Sequence, residues 1–441
     1  MPHSLHRRLA ATATAVLLGG TALTACGAPD GDSGDQTSSG PAELTYWAWA
    51  PGMEKVAAIW NNGEGRKAGI QVTVQKQASG DDLVTKIITA AKAHQAPDLV
   101  QAEYQALPTL VSNEALADIS GEVGGVKYKF AAGVWQQTTL GTDAVYAIPQ
   151  DSAPMAFYYR EDLFKEYGLT VPATWAEFAE TARALKKKAP DKSLTTFSAN
   201  DSGLFAGLAQ QAGAKWWSVD SQKWKVGIDD AATRKVADFW GGLVEEGAVD
   251  NQPMYTPAWN KALDSGKQIA WVSAVWAPGT LSSVAPATKG KWAMAPLPQW
   301  TRDANTTGSW GGSTTAVTTD SKHKAAAAKF ATWLNTDPEA LAALVKESGI
   351  YPAATAAQTS GALAQAPEYF SNQPDFYVKA AEIAKTTAPA AWGPNVNVAY
   401  TSFKDAFGEA AKDRSDFGAA LATMHDTTVA DLKKQGFEVA P

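Results

Sequence analysis

Apolar and polar positions alternate through "ELTYWAWAPG" (43–52) and the run stops at Pro51-Gly52, the period-2 pattern of a strand ending in a turn. The period then changes: between Met53 and Asn62, Val56, Ile59 and Trp60 fall on one helical face. "GIQVTVQKQ" (69–77) reads as a second strand. Asp81 is placed to cap a helix running to about His94, with Leu83, Ile87 and Ile88 on its apolar side, and "APDLVQAEY" (96–104) reads as a third strand. Strands separated by helical segments predict an α/β sheet with parallel pairing. Further along, a strand meets Pro149, the chain passes Asp151 to Pro154, and a new strand follows in "MAFYY" (155–159). Proline at both ends of extended chain stiffens it, so this stretch is expected to cross between lobes rather than to turn. Another helix starts near Thr174, with Trp175 and Phe178 on its apolar face.

The first residues follow a different logic. Arg7 and Arg8 precede a stretch, Leu9 to Leu23, that is apolar or small throughout. It is shorter than the ~20 residues that span a bilayer, and it reads as a secretory signal over residues 1–25. Leu-Thr-Ala-Cys (23–26) fits the bacterial lipobox, which makes Cys26 a diacylated mature N-terminus rather than an incidental thiol at a cleavage site. Two acyl chains hold a protein stably at a membrane, where one holds it marginally. Residues 26–42, rich in Gly, Ser and Asp, are then a lipid anchor and flexible tether. Asp30, Asp32 and Asp35 resemble the start of a calcium loop. The loop would need Gly where Asp35 stands and a bidentate Glu where Pro41 stands, which excludes it. With no second cysteine there is no internal disulfide, and packing alone must hold the body together.

Removing Arg7 and Arg8 from the 38 basic residues leaves 36 against 45 acidic ones, a net charge of −9. That balance argues against nucleic acid or anionic lipid as the main ligand. Roughly 400 residues suggest two lobes. Seventeen Trp outnumber fourteen Phe and twelve Tyr, an excess that packing alone does not require. Beyond the signal, His94, His323 and His425 lie far apart without metal-ligand spacing, and no hydrolase or nucleotide-binding motif occurs. Asp229-Asp230 and Glu245-Glu246 read as solvated faces. A secreted glycoside hydrolase, whose two carboxylates can be distant in sequence, stays open as an alternative.

The block "YAIPQDSAPMAFYYREDLFKEYGLTVPATWAEF" (146–178) resembles the crossover segment of the bacterial extracellular solute-binding proteins, the family typified by maltodextrin-binding protein. "APDLV", "DSGKQIAWVSAVW", "WGGSTTAV" and "SGIYPA" resemble further family segments in the same order, from about Leu44 to Phe437. The resemblance implies a type II periplasmic-binding-protein-like fold: two α/β lobes joined by three crossings, with a ligand cleft between them. Lobe 1 would comprise residues 43–149 plus about 313–355, and lobe 2 residues 150–312 plus about 356–441. It implies a substrate-binding lipoprotein of an ABC importer, a monomer that takes a carbohydrate and delivers it to permease subunits. No catalysis, cofactor, metal or nucleic acid is expected. The membrane is touched through the N-terminal lipid only, on the outer face of the cell membrane, or its periplasmic side where an outer membrane exists.

A sugar has an apolar C–H face and a rim of hydroxyls, which suit indole platforms and carboxylate or amide partners respectively. Ligands of open α/β sheets lie beyond the carboxyl ends of strands. Together with the resemblance, this selects Trp49, Glu103, Tyr104 and Asp151, then Asn200 and Asp201 in "FSANDSGLF", Trp276 in "SAVW", Trp310 before Gly-Gly, and Trp392 in "AWGPN". Trp216, Trp217, Trp224, Trp240, Trp292 and Trp333 read as packing. Trp49-Ala50-Pro51 stands where maltodextrin-binding protein has polar residues, which speaks against maltose itself. A polyol, an amino-sugar or glycerol phosphate is the alternative ligand, although phosphate would want an arginine cluster that the candidates lack.

Overall fold

Strand β1 (Ala42–Ala48) buries every second side chain, Ala42, Leu44, Tyr46 and Ala48, as its alternation requires. The chain is described by a computed structural model covering residues 41–440, apart from 79, 221–222 and 359–360. The signal, Cys26 and the tether up to residue 40 lie outside the described residues. The tether was expected to run to residue 42. The strand already begins at Ala42, whose buried side chain and N–H bond to Gly69 O (2.9 Å) commit it to the sheet.

β1 pairs in parallel with β2 (Ile70–Lys76), Ala42 opposite Ile70, and with β3 (Leu99–Glu103), Tyr46 opposite Leu99. The helix between β1 and β2, Met53–Asn62, buries Met53, Val56, Ala57 and Trp60. Ile59 is only half-buried, so the face is centred closer to Ala57 than expected. In the next helix, Asp81–Lys92, Asp81 is the first helical residue. Gly80, at φ 86°, holds the cap position without a side-chain bond.

The parallel pairing expected from the first three strands holds for β1, β2 and β3, and β10 departs from it. β4 (Ala147–Pro149) ends at the first crossing and β10 (Ser313–Val317) begins at the second. β10 therefore enters the sheet from the cleft and runs antiparallel to both β3 and β4, giving the order β2-β1-β3-β10-β4. In the second lobe β5 (Met155–Arg160) leaves the first crossing, and β8 (Ala270–Ala274) and β9 (Trp292–Pro296) return towards the cleft on either side of it, both antiparallel. Between them in sequence, β6 (Trp217–Asp220) and β7 (Lys223–Val226) form a separate antiparallel pair.

The second lobe accounts for most of the tryptophan excess. Trp175, Trp217, Trp240, Trp259, Trp271 and Trp292 are all fully buried there. Trp175 lies 5.2 Å from Phe178 and 5.7 Å from Trp240, and its Nε1 donates to Gln211 Oε1 at 3.0 Å. Thr174 and Glu177 close the start of helix Trp175–Lys188 as a reciprocal capping box. Among the described residues no helix is long and apolar enough to cross a membrane.

The three crossings run side by side as a hydrogen-bonded ribbon. Asp151 bridges to Pro352 and Pro154 to Ser309. Gln150 and Asp151 N–H both donate to Ser313 O (2.9 and 3.2 Å), Ser152 N–H to Tyr351 O (2.9 Å) and Trp310 N–H to Ala153 O (3.0 Å). Close packing of the second crossing depends on glycine: a Cβ on Gly308 would stand 1.9 Å from Gly207 O.

Candidate functional site

The strand ends facing the ribbon open onto one cavity of about 640 Å³ between the lobes. Trp49 follows the end of β1, Glu103 ends β3, and Trp276 follows β8 by two residues. Each is carried there by a strand that runs towards the cleft, which is where such sheets place their ligands.

From the first lobe, Trp49 presents a half-buried indole. Its backbone N–H and that of Ala50 donate to Gln101 Oε1 at 3.0 and 3.1 Å. Glu103 accepts from Gln105 Nε2 at 2.6 Å. From the second lobe, Trp276 donates through Nε1 to Trp310 O at 2.8 Å, with the two rings edge to face at 4.9 Å. Trp271 packs behind both, 5.6 Å from Trp276 and 6.1 Å from Trp310. Gly203 makes room for this group, since a Cβ there would lie 2.9 Å from Trp310 Cδ1. Gly311 and Gly312 adopt φ 82° and 90°, a conformation that costs glycine nothing and brings bare backbone to the cavity edge.

Asp201 caps helix Ser202–Gln211 by accepting the Leu204 N–H at 3.1 Å. Burial pushes its carboxyl up to about 6, against the Leu204 N–H and the charge of Lys404, which pull the other way. Asp151 is also pushed up to about 6 by burial, against the hydroxyl and N–H of Ser313. Ser198 and Asn200 pin the segment before Tyr255: Met254 N–H donates to Ser198 Oγ at 2.9 Å, and Asn200 Nδ2 to Met254 O at 3.3 Å. Tyr255 then stands at φ 64°, 47% exposed, a strained setting for a bulky side chain.

Seven of the expected residues line this cavity: Trp49, Glu103, Asp151, Asn200, Asp201, Trp276 and Trp310. Tyr104 and Trp392 do not. After Glu103 the chain turns into a 3-10 helix, Tyr104–Ala106, which sends the Tyr104 ring beneath Gly312; a Cβ there would sit 3.1 Å from Tyr104 Cε2. Trp392 packs against Trp217 at 6.4 Å, and its Nε1 donates to Gln137 Oε1 at 3.3 Å. The cavity also takes in Gln101, Tyr255, Thr280, Ser283 and Lys404, which sequence reasoning missed. For Gln101 a signal existed, a lone amide in the otherwise apolar core of β3. Asp229-Asp230 and Glu245-Glu246 lie outside it, and among the described residues no three His, Cys, Asp or Glu are grouped to hold a metal ion. Indole faces, three carboxylates, amides and hydroxyls around one cavity suit a neutral solute carrying both C–H faces and hydroxyls.

Residues 50–341 match the family described as bacterial extracellular solute-binding protein. An arabinooligosaccharide-binding protein of Bacillus subtilis is 21% identical over 306 residues, 66% of this chain and 69% of that one. A mannitol-binding protein of Pseudomonas aeruginosa is 29% identical over 204 residues, 43% of this chain and 44% of that one. Among solved structures, the galacto-N-biose-/lacto-N-biose I-binding protein of the ABC transporter from Bifidobacterium longum, in complex with lacto-N-biose, aligns with a TM-score of 0.82 at 26% identity, covering 91% of this chain and 99% of that one. The ABC transporter associated binding protein from B. animalis subsp. lactis, in complex with beta-1,6-galactobiose, aligns with a TM-score of 0.81 at 24% identity, covering 91% and 100%.

Proposed function

The chain belongs to the bacterial extracellular solute-binding proteins, and from that premise we propose that it captures a mono- or oligosaccharide between its lobes for a membrane ABC importer. One observation carries the reading: indoles and carboxylates from both lobes, Trp49 and Glu103 on one side and Trp276 and Asp201 on the other, line a single cavity. Stacking on the indoles would hold the C–H faces, and Glu103, Asp201, Asn200 and Gln105 would take the hydroxyl rim. Ligand that touches both lobes favours the closed arrangement, and the ribbon of crossings near Pro149 to Asp151, Gly311 to Ser313 and Tyr351 to Thr355 is the proposed hinge. The lobes are taken as residues 43–149 with about 313–355, and 150–312 with about 356–441.

A polyol is the second reading, favoured by the match to a mannitol-binding protein. Glycerol phosphate is disfavoured, since Lys404 is the single cation among the described cavity residues. The proposal includes no catalysis: purified protein should leave an oligosaccharide panel unhydrolysed. It includes a monomer tethered through lipid on Cys26, which keeps a binding protein beside its permease. A thermal-shift screen against arabino- and galacto-oligosaccharides, lacto-N-biose, mannitol and glycerol phosphate tests the reading. A ligand at 100 times its Kd adds about 2.7 kcal/mol. Stabilisation by a sugar supports the proposal; stabilisation by glycerol phosphate alone, or by none of them, contradicts it.

A further inference from the structure

One glutamine connects the cavity wall to the crossings. Gln101 lies in the middle of β3 and is 1% exposed, beside the apolar Val100 and Ala102. Both ends of its carboxamide are engaged. Oε1 accepts the Trp49 and Ala50 N–H groups at 3.0 and 3.1 Å, and Nε2 donates to Ser313 Oγ at 3.0 Å. Two backbone donors on one atom identify that atom as the oxygen, so the amide has one consistent orientation. Ser313 Oγ, having accepted from Gln101, gives its own hydrogen to Asp151 Oδ1. The Ser313 N–H donates to the same oxygen at 2.7 Å. The donors of this relay therefore run one way, from the wall through Gln101 and Ser313 to the Asp151 carboxylate, and the Asp151 N–H returns a bond to Ser313 O at 3.2 Å. Asp151 is bridged in turn to Pro352 on the third crossing.

We propose that Gln101 is a positioning residue that makes the Trp49–Ala50 wall and the Ser313 segment of the hinge move as one piece. Moving the wall alone would strip two N–H groups of a buried acceptor, and moving Ser313 alone would strip Gln101 of its acceptor and Asp151 of two donors. Bonds linked in one direction also polarise and strengthen each other. An apolar side chain would fill the same space in β3 and carry no such link. Pressure of a solute on Trp49 is thereby transmitted to the junction of the three crossings. The inference rests on reading the cavity as the solute site, but its test needs no solute.

Hydrogen exchange on the ligand-free mature chain reads the link directly. Ser313→Ala touches neither wall residue and leaves Gln101 Oε1 in place. The Trp49 and Ala50 amides should nevertheless exchange about tenfold faster relative to the Phe157 amide, buried on β5, the central strand of the second-lobe sheet, which serves as the reference for global opening. Gln101→Glu keeps the acceptor for Trp49 and Ala50 but has no N–H for Ser313, and should speed exchange at the Ser313 amide about tenfold relative to Phe157. Wall amides within twofold of wild type in Ser313→Ala would overturn the proposal. An unchanged Ser313 amide in Gln101→Glu would do the same. A protein that binds no carbohydrate would instead overturn the functional reading and leave this result untouched.

Discussion

Replacing Asp151 by Asn tests how the crossings are held together. Asp151 is 8% exposed, and burial raises its carboxyl from the ordinary 3.8 to about 6 even though Ser313 donates to it twice. Its folded pKa is thus above its unfolded one. The folded state binds more protons between those values, and the stability this group lends is fully present below 3.8 and lost as pH rises through 6. Two pKa units correspond to roughly 3 kcal/mol. Asn retains an oxygen for both Ser313 donors and removes the titration. Its new N–H groups, if left without a partner, cost about 1–3 kcal/mol, but that cost does not vary with pH. The stability difference between variant and wild type should therefore move by roughly 2.5 kcal/mol in favour of Asn between pH 4 and pH 7, since at pH 4 the unfolded carboxyl is already more than half ionised. Asp201, whose pKa is raised in the same direction, titrates in both proteins and cancels. Urea unfolding followed by tryptophan fluorescence at pH 4, 5, 6 and 7 measures it. A difference flat across that range would refute a buried, uncharge-seeking carboxylate at the hinge.

Trp276→Ala should weaken sugar binding by roughly 1–3 kcal/mol in calorimetry while changing folding less, because it is half-buried and lines the cavity; unchanged affinity would make Trp276 a packing residue. Gly308→Ala should destabilise the chain by at least about 2 kcal/mol in denaturant, since its Cβ would meet the carbonyl of Gly207 at 1.9 Å; wild-type stability would mean that the second crossing is not packed against helix Ser202–Gln211 in this way. Cys26→Ser should leave the protein exported but released into the medium, whereas a variant still found with membranes in detergent-free fractionation would contradict the lipid anchor.

The parts that were legible in the sequence are those fixed by local chemistry. Alternation and Pro51-Gly52 put Trp49 at a strand end, paired prolines marked the first crossing, and Gly311-Gly312 marked the second. What local pattern cannot convey is the direction in which the chain leaves a strand. Glu103 and Tyr104 are neighbours, yet the 3-10 turn after Glu103 separates them, one to the cavity and one beneath Gly312. Strand direction was hidden for the same reason. β10 is antiparallel because it starts at the second crossing, and β8 and β9 are antiparallel because β5 leaves the first crossing while they return towards the cleft, a property of the whole path. Tryptophan number also misled: of the seventeen, only Trp49, Trp276 and Trp310 line the cavity, and most of the others pack the second lobe or the first. Tyr255 gave no sign in sequence, since its position depends on Ser198 and Asn200, more than fifty residues earlier.

Capture of a carbohydrate by closure of two lobes is most directly tested by small-angle scattering on the mature protein, with and without a saturating sugar whose binding is confirmed in the same sample. Ligand held by Trp49 and Glu103 on one side and Trp276 and Asp201 on the other stabilises the closed form by its differential affinity, and a shift from 1:99 to 99:1 needs about 5.5 kcal/mol. Several hydroxyl bonds and a stacked ring supply that order of energy. The radius of gyration should fall when sugar binds. A radius that stays the same while sugar is bound would contradict closure about the crossings and leave a rigid pocket in its place.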